Sequence, residues 1–328
     1  MDQEQHNQRI VLASRPEGWV TPDNFRLEKA PLPKPRDGEV LVKNLWLSLD
    51  PYMRGRISAQ KSYAKGVEIG EVMVGQTVGE VLESRNPAFK AGDKVLTQLG
   101  WQLYGTTSEA NKVDGSRVPL SFYLGMLGMP GWTAYFGLKE LGQPKPGETV
   151  VVSAASGAVG SVVGQLAKIW GCRAIGIAGG AEKCAYVKDE LGFDECFDYK
   201  AGKLRDQLKD IDVYFDNVGG EILDAALART RLFGRVVVCG TISDYNATDP
   251  YRVKNWRAIL VNRLKVQGMI VFDFKERYGE AFKALAGYYA AGKLKTRESV
   301  VEGLANAPQG FVALLKGGNF GKQLVKLA

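Results

Sequence analysis

Apolar residues change rhythm near residue 145. From about residue 9 to 124 they come in short runs, such as Arg9-Ile-Val-Leu-Ala13, Glu39-Val-Leu-Val-Lys-Asn-Leu-Trp-Leu-Ser-Leu49 and Gly92-Asp-Lys-Val-Leu-Thr97. Glycine and proline punctuate these runs. Pro31, Pro33 and Pro35 read as an extended link and Asp37-Gly38 as a turn, so short strands of a β-rich domain are predicted. Beyond 145, β-branched runs alternate with amphipathic stretches, the pattern of parallel strands joined by crossover helices. Strands are predicted at 149–155, 173–178, 212–217, 235–240 and 266–272. Helices are predicted at 161–170, 182–191, 219–230, 255–263 and 276–291. The segment after about 298 loses the alternation and reads as a return to the first domain.

The expected fold class is therefore α/β: a doubly wound parallel Rossmann sheet over residues 125–297, and a β-rich domain over 1–124 completed by 298–328. A chain of 328 residues suits two domains, and 45% hydrophobic with 24% charged residues is the balance of a soluble globular protein. The start, Met1-Asp-Gln-Glu-Gln-His-Asn-Gln, has no apolar core of a secretory signal, and no apolar run is long enough to span a bilayer. A cytoplasmic location is expected, with no membrane partner. Cys172, Cys184, Cys196 and Cys239 form no C-x-x-C pair and read as buried free thiols. The net charge of +7 comes from basic residues scattered along the chain rather than clustered with aromatics. That points to a solvated basic surface suited to an anionic ligand, and no nucleic-acid partner is expected.

Chemistry enters at the first crossover. Thr149-Val-Val-Val-Ser-Ala-Ala-Ser-Gly157-Ala-Val-Gly160 runs from a buried strand through small residues into a helix carrying Gly164. Glycines at such a junction let a pyrophosphate approach the backbone (Gly157) and the helix pack closely on the strand (Gly160), while the helix N-terminus offers N–H donors. The G-x-G-x-x-G pattern is incomplete, because Ala155 stands at its first glycine. The next strand, Arg173-Ala-Ile-Gly-Ile-Ala178, ends in Gly179-Gly-Ala-Glu-Lys183 with no acid at its tip to take the ribose hydroxyls. An open tip followed by Lys183 favours the 2′-phosphate of NADP, although Glu182 could turn back toward the ribose.

The single histidine, His6, lies in what reads as a frayed N-terminus. Catalytic zinc sites, histidine relays and Ser-His-Asp or Cys-His hydrolysis are therefore not expected. A general acid must be Tyr, Lys, a carboxyl group or water, and thirteen tyrosines put Tyr first.

Over nearly its whole length the chain resembles the medium-chain dehydrogenase/reductase superfamily, in its zinc-free branch of prostaglandin, 2-alkenal and curcumin reductases. The carriers are Leu47-Ser-Leu-Asp-Pro-Tyr-Met-Arg54, Leu127-Gly-Met-Pro-Gly-Trp-Thr-Ala-Tyr135, Ala154-Ala-Ser-Gly-Ala-Val-Gly160, Gly179-Gly-Ala-Glu-Lys183, Phe215-Asp-Asn-Val-Gly-Gly-Glu221 and Asn319-Phe-Gly-Lys322. Within the branch the likeness is nearest to bacterial NADPH-dependent curcumin reductases. It implies a GroES-like β-rich catalytic domain, NADPH as cofactor, a homodimer, and reduction of the C=C bond of α,β-unsaturated ketones and aldehydes. It also implies site residues. Gly157, Ala158, Val159 and Gly160 would hold the pyrophosphate, and Lys183 and Tyr199 the 2′-phosphate. Asn217, Cys239, Gly240, Thr241, Ile242, Ser243, Tyr245, the strand residues Ile270, Val271 and Phe272, and Asn319 would line the rest of the cofactor cleft. Tyr245 would stabilise the enolate oxygen. Tyr52 would line the substrate pocket, or be a packed strand-end tyrosine. One departure is the short Asp249-Pro-Tyr-Arg-Val-Lys-Asn255, where many relatives carry a longer Pro-rich loop. Two other functions fit the same residues: an NADPH quinone oxidoreductase, and an NADPH-binding protein without turnover.

Overall fold

A computed structural model describes residues 6–60 and 62–328. The polar start at 1–5 lies outside the described residues. The chain divides into two compact units, one of residues 1–124, 298–319 and 323–328, the other of 125–297 and 320–322.

The first unit opens with β1 (His6–Leu12) and β2 (Phe25–Pro31), an antiparallel pair. His6 is therefore not frayed: it begins β1 opposite Pro31. Then come β3 (Val40–Ser48), the short α1 (Met53–Arg56), β4 (Thr77–Ser84), β5 (Lys94–Thr97), β6 (Tyr104–Thr107) and β7 (Asn111–Lys112). Alternation decides which side chains go inward. Val40 and Val42 of β3 bury themselves with Val81 of β4 and Val95 of β5. Trp101 stacks on Phe25 with ring centroids 5.3 Å apart and meets Phe311 edge-on at 5.8 Å.

The second unit begins with α2 (Met129–Phe136) and continues β8 (Thr149–Ser153), α3 (Gly160–Ile169), β9 (Arg173–Ala178), α4 (Ala181–Ala185), β10 (Glu195–Asp198), α5 (Leu204–Gln207), β11 (Ile211–Asp216), α6 (Gly220–Leu227), β12 (Thr230–Val238), α7 (Arg257–Val261), β13 (Lys265–Gly268) and α8 (Tyr278–Ala290). The six strands lie in the order β10-β9-β8-β11-β12-β13 and every adjacent pair is parallel. This is the doubly wound Rossmann arrangement that the alternation predicts, with its reversal of direction between β8 and β11. Val151, Ile175, Ile177, Tyr214 and Val236 from the central strands pack with Ile222, Ala226 and Leu227 of α6.

Several boundaries differ from the predicted ones. β10 was not predicted. The helix expected over 182–191 stops as α-helix at Ala185 and continues as a π-helical turn over Tyr186–Glu190. β12 starts at Thr230 rather than 235, and Phe233 at φ +60° bends it just before Gly234. The strand expected over 266–272 ends at Gly268. Its partner β12 ends at Val238, whose carbonyl accepts the Met269 N–H at 2.9 Å, and beyond that no ladder is left to extend.

The chain returns to the first unit with β14 (Glu298–Glu302), α9 (Ala307–Leu315) and β15 (Lys322–Lys326). They complete a sheet ordered β14-β15-β3-β4-β5-β7, with β6 also on β3.

Candidate cofactor site

In an open parallel sheet, ligands lie beyond the C-terminal ends of the strands where the winding reverses, here the ends of β8 and β11. From β8 the chain turns through 154–159 into α3. Ala154 sits at φ +50°, a left-handed conformation that costs a non-glycine residue about 1 kcal/mol. Ala155, at the position of the pattern's first glycine, is buried. Its methyl lies where a Cβ on Gly176 of β9 would come within 2.8 Å, so the neighbouring strand gives up the side chain that the turn keeps. Gly160 lets α3 close on the chain just past β8: a Cβ there would lie 2.3 Å from the Ala154 oxygen. Gly164, further along α3, makes room for Phe193, whose ring an added Cβ would meet at 1.8 Å. The Gly157 N–H donates to Ala154 O at 2.9 Å, and Gly157 bridges in parallel to Gly321. Ala158 and Val159 finish the turn, half-buried. Among the described residues no side chain caps α3. The Ser161 N–H donates to Gly157 O at 3.1 Å and the Val162 and Val163 N–H groups to Val159 O at 3.1 and 3.0 Å, so the helix start favours an anion chiefly through its positive dipole end.

A second group gathers at the tip of β9. Lys183 is half-buried on α4 and Tyr199 and Lys200 follow β10. A Cβ on Gly179 would lie 2.9 Å from Tyr199 Oη and 3.1 Å from Lys200 Cε, so both side chains occupy the space over this glycine. The Asp198 carboxylate accepts the N–H groups of Gly180 and Lys200, each at 2.9 Å, and ties the two turns together. Burial, and then the charge of Lys200, lower the Lys183 ammonium below the ordinary lysine range, with Glu182 opposing. Glu182 itself is exposed. Two ammonium groups held near one another call for an anion between them. Lys200 was missing from the predicted set. The available signal was a second cation directly after Tyr199 in Asp198-Tyr-Lys200.

At the end of β11, Asp216 is fully buried and organises the opposite side of the turn. Its Oδ1 accepts from Tyr214 Oη at 2.8 Å, Val218 N at 3.1 Å and Gly219 N at 3.0 Å, while its carbonyl accepts from Cys239 N at 2.8 Å and Gly240 N at 3.1 Å. Burial raises this carboxyl above the usual carboxylate range. Asn217 is fastened to β8: its N–H donates to Ser153 Oγ at 2.9 Å and its Nδ2 to Ser153 O at 2.8 Å. The segment 239–245 folds over this turn. Ser243 Oγ donates to Val218 O at 2.7 Å, and a Cβ on Gly219 would touch Thr241 at 3.3 Å. Ile242 lies between them in the same loop, half-buried. The Cys239 thiol is pushed up to about 12 by burial and then by Asp216, which suits an inert packed residue.

Tyr245 bends back across its own loop. Its Oη accepts the Thr241 N–H at 3.5 Å, and a Cβ on Gly240 would stand 3.3 Å from both this hydroxyl and the Asn217 carbonyl. Asn217, Gly240 and Tyr245 are thus brought together at the end of β12. The short loop after Tyr245 is held by buried Asp224 of α6, whose Oδ1 accepts Lys254 N at 2.9 Å and Asn255 N at 2.7 Å and whose Oδ2 accepts Tyr251 Oη at 3.0 Å.

The other expected residues are placed differently. Ile270, Val271 and Phe272 are not strand residues: Ile270 is the extended residue before a 3₁₀ helix over Val271–Arg277, Val271 is buried and Phe272 exposed. Tyr52 and Asn319 belong to the first unit. Tyr52 precedes α1 with the Arg56 guanidinium 5.8 Å over its ring. Burial, and then the Asp50 charge, raise its phenol well above the ordinary range.

The family model for the N-terminal domain of oxidoreductases matches residues 8–114, and the model for zinc-binding dehydrogenases matches residues 158–287. The chain belongs to the medium-chain dehydrogenase/reductase family. It is 47% identical to the NADPH-dependent curcumin reductase of Escherichia coli (strain K12) over 99% of this chain and 98% of that protein. It is 41% identical to the NADP(+)-dependent 2-alkenal reductase of Nicotiana tabacum over 100% and 99%. The crystal structure of CurA from Vibrio vulnificus in complex with NADPH has a TM-score of 0.93 and 48% identity, covering 98% of this chain and 99% of that one. Among the described residues no three His, Cys, Asp or Glu side chains group as metal ligands, so the donor set does not fit the zinc in the second model's description. An uncapped helix N-terminus at the switch point and a cluster of Lys183, Tyr199 and Lys200 do fit the phosphates of NADPH.

Proposed function

We propose that the protein is an NADPH-dependent reductase of the C=C bond of α,β-unsaturated ketones and aldehydes. The observation that carries this reading is the Lys183–Tyr199–Lys200 cluster at the β9 tip, where the Asp198 carboxylate is engaged by the Gly180 and Lys200 N–H groups, in a chain 47% identical to a curcumin reductase. Its residues take these roles. The 157–160 turn and the N-terminus of α3 bind the pyrophosphate, and the lysine cluster binds the 2′-phosphate. Asn217, the 239–243 segment, 270–272 and Asn319 contact the remainder of the dinucleotide.

When bound, NADPH supplies the hydride that reduces the β-carbon of the substrate. Negative charge then develops on the carbonyl oxygen. A hydrogen-bond donor placed there favours the transition state over the ground state. Tyr245 is that donor, and its proximity to the Gly240 backbone keeps it at the strand ends. Tyr52 is a substrate-contacting residue of the β-rich unit.

The protein acts as a homodimer in the cytoplasm. For the dimer, the support is a strand edge unpaired among the described residues: β13 is exposed throughout, and Leu260, Trp256 and Phe233 near it are 77%, 65% and 63% exposed. Apolar surface of this kind on a sheet edge is commonly covered by a partner. For the cytoplasm, four free thiols suit a reducing compartment.

The deciding experiment follows NADPH consumption with an enone, an alkenal and a benzoquinone, with the products identified. A saturated carbonyl product supports the proposal. Protein that is inactive on enones and active on the quinone would overturn it.

A further inference from the structure

Cys184 and Cys196 take no part in the cofactor or substrate contacts assigned above, yet their sulfur atoms lie 3.0 Å apart. They come from different elements. Cys184 sits on α4 directly after Lys183, and Cys196 on β10 two residues before Asp198. The parallel register sets Cys196 beside Gly176 of β9. A Cβ on Gly176 would approach Cys196 Sγ to 3.2 Å, so this glycine leaves the sulfur its place over β9. Both residues are half-buried free thiols.

We propose that Cys184 and Cys196 are a dithiol that a peroxide closes into an intramolecular disulfide, tying α4 to β10 beside the phosphate cluster. The Cys184 thiolate attacks one peroxide oxygen and the O–O bond breaks, giving the Cys184 sulfenic acid and an alcohol, or water from hydrogen peroxide. The Cys196 sulfur then attacks the sulfenic sulfur, loses its proton, and the S–S bond forms as water leaves. Two thiols and one peroxide thus become one disulfide, one alcohol and one water. The sulfurs give up two electrons and the O–O bond takes them.

Burial raises both thiols, Cys196 strongly, which makes Cys184 the attacking group and Cys196 the resolving one. Closure is consequently slow at neutral pH and accelerates as the pH rises toward the Cys184 thiolate. Bonding requires the sulfurs to approach by about 1 Å. Lys183 adjoins one cysteine and Tyr199-Lys200 follow the strand of the other, so this shift disturbs both sides of the phosphate cluster and weakens NADPH. The cross-link stands without the cofactor assignment, whereas its effect on NADPH rests on it.

The test treats the full-length protein with hydrogen peroxide and reads free thiols under denaturing conditions, intact mass and peptide linkage. Two of the four thiols should disappear with a mass loss of about 2 Da, reversed by dithiothreitol. The rate should rise about tenfold per pH unit around neutrality. Cys184→Ser and Cys196→Ser should each abolish the closure. Four persisting thiols in the wild type, or closure surviving in either variant, would overturn the proposal. The oxidised wild type should bind NADPH about threefold more weakly or worse, with NADH binding unchanged. Equal NADPH affinity after complete closure overturns the coupling. Failure of the reduced protein to bind NADPH counts instead against the cofactor assignment.

Discussion

Ser153 and Asn217 clasp the ends of β8 and β11: the serine Oγ accepts the asparagine N–H at 2.9 Å, and the serine carbonyl accepts the asparagine Nδ2 at 2.8 Å. The two strands flank the switch point, so this double bond sets where the glycine turn and the Asp216–Gly219 turn stand relative to each other. Asn217 spends its side-chain donor on the protein, and its Oδ1 is left as the group that can accept from a ligand.

Ser153→Ala should cost about 0.5–1.5 kcal/mol of stability, because the half-buried Asn217 N–H loses its acceptor. It should also raise the KM for NADPH, since Asn217 is then held by one bond, its Nδ2 to the backbone carbonyl of residue 153, instead of two. Urea unfolding together with steady-state kinetics checks both effects. A destabilised variant with an unchanged KM would remove the clasp from cofactor binding.

Lys183→Ala should weaken NADPH by roughly tenfold or more and leave NADH nearly untouched, as expected for a charge-assisted contact worth about 1.5–3 kcal/mol. Lys200→Ala should act in the same direction, with a smaller loss because that lysine is exposed. Fluorescence titration of both cofactors reads the ratio. An equal loss for NADH and NADPH in Lys183→Ala would contradict a contact to the 2′-phosphate.

Tyr245→Phe removes only the hydroxyl that lies beside Gly240 and Thr241. Loss of one donor at a developing oxyanion lowers kcat by about 100-fold or more in well-organised sites. A drop of that order is expected here, with NADPH affinity nearly unchanged. Unaltered turnover on an enone would take Tyr245 out of the reaction.

What the sequence could reveal depended on how local each signal was. The run 149–160 carried its own message, since a β-branched strand, small residues and glycines in succession have few other uses. β9 lies at the predicted bounds, Arg173–Ala178, because Gly171 and Gly179 punctuate it at both ends. β10 was missed: Glu195-Cys-Phe-Asp198 is four residues long, lacks a β-branched residue, and owes its strand geometry to pairing with β9. Residues 270–272 failed for the opposite reason. Met269-Ile-Val-Phe272 has strong strand propensity, but tertiary pairing overrides it once β12 has ended. Nor could spacing show that Gly176 makes room for Ala155, or that Lys200 shares the space over Gly179 with Tyr199. Those are relations between strands, invisible until the sheet order is known.

Acid titration offers a separate check on the second unit's packing. Glu280 of α8 receives hydrogen bonds from Lys139, Arg277 and Tyr135, and chiefly the Lys139 ammonium holds its carboxyl down at about 2. A carboxyl depressed in the folded state stabilises the protein above its unfolded value, about 4.3, and that contribution fades as the pH falls through the folded value. Glu280→Gln should therefore be less stable than the wild type at pH 7, by about 0.5–1 kcal/mol after solvent screening of this partly exposed pair. The deficit should shrink steadily below pH 4.5. Urea unfolding of both proteins at pH 7, 4.5 and 3 measures it. A deficit that stays constant down to pH 3 would mean that the glutamine loses packing rather than charge.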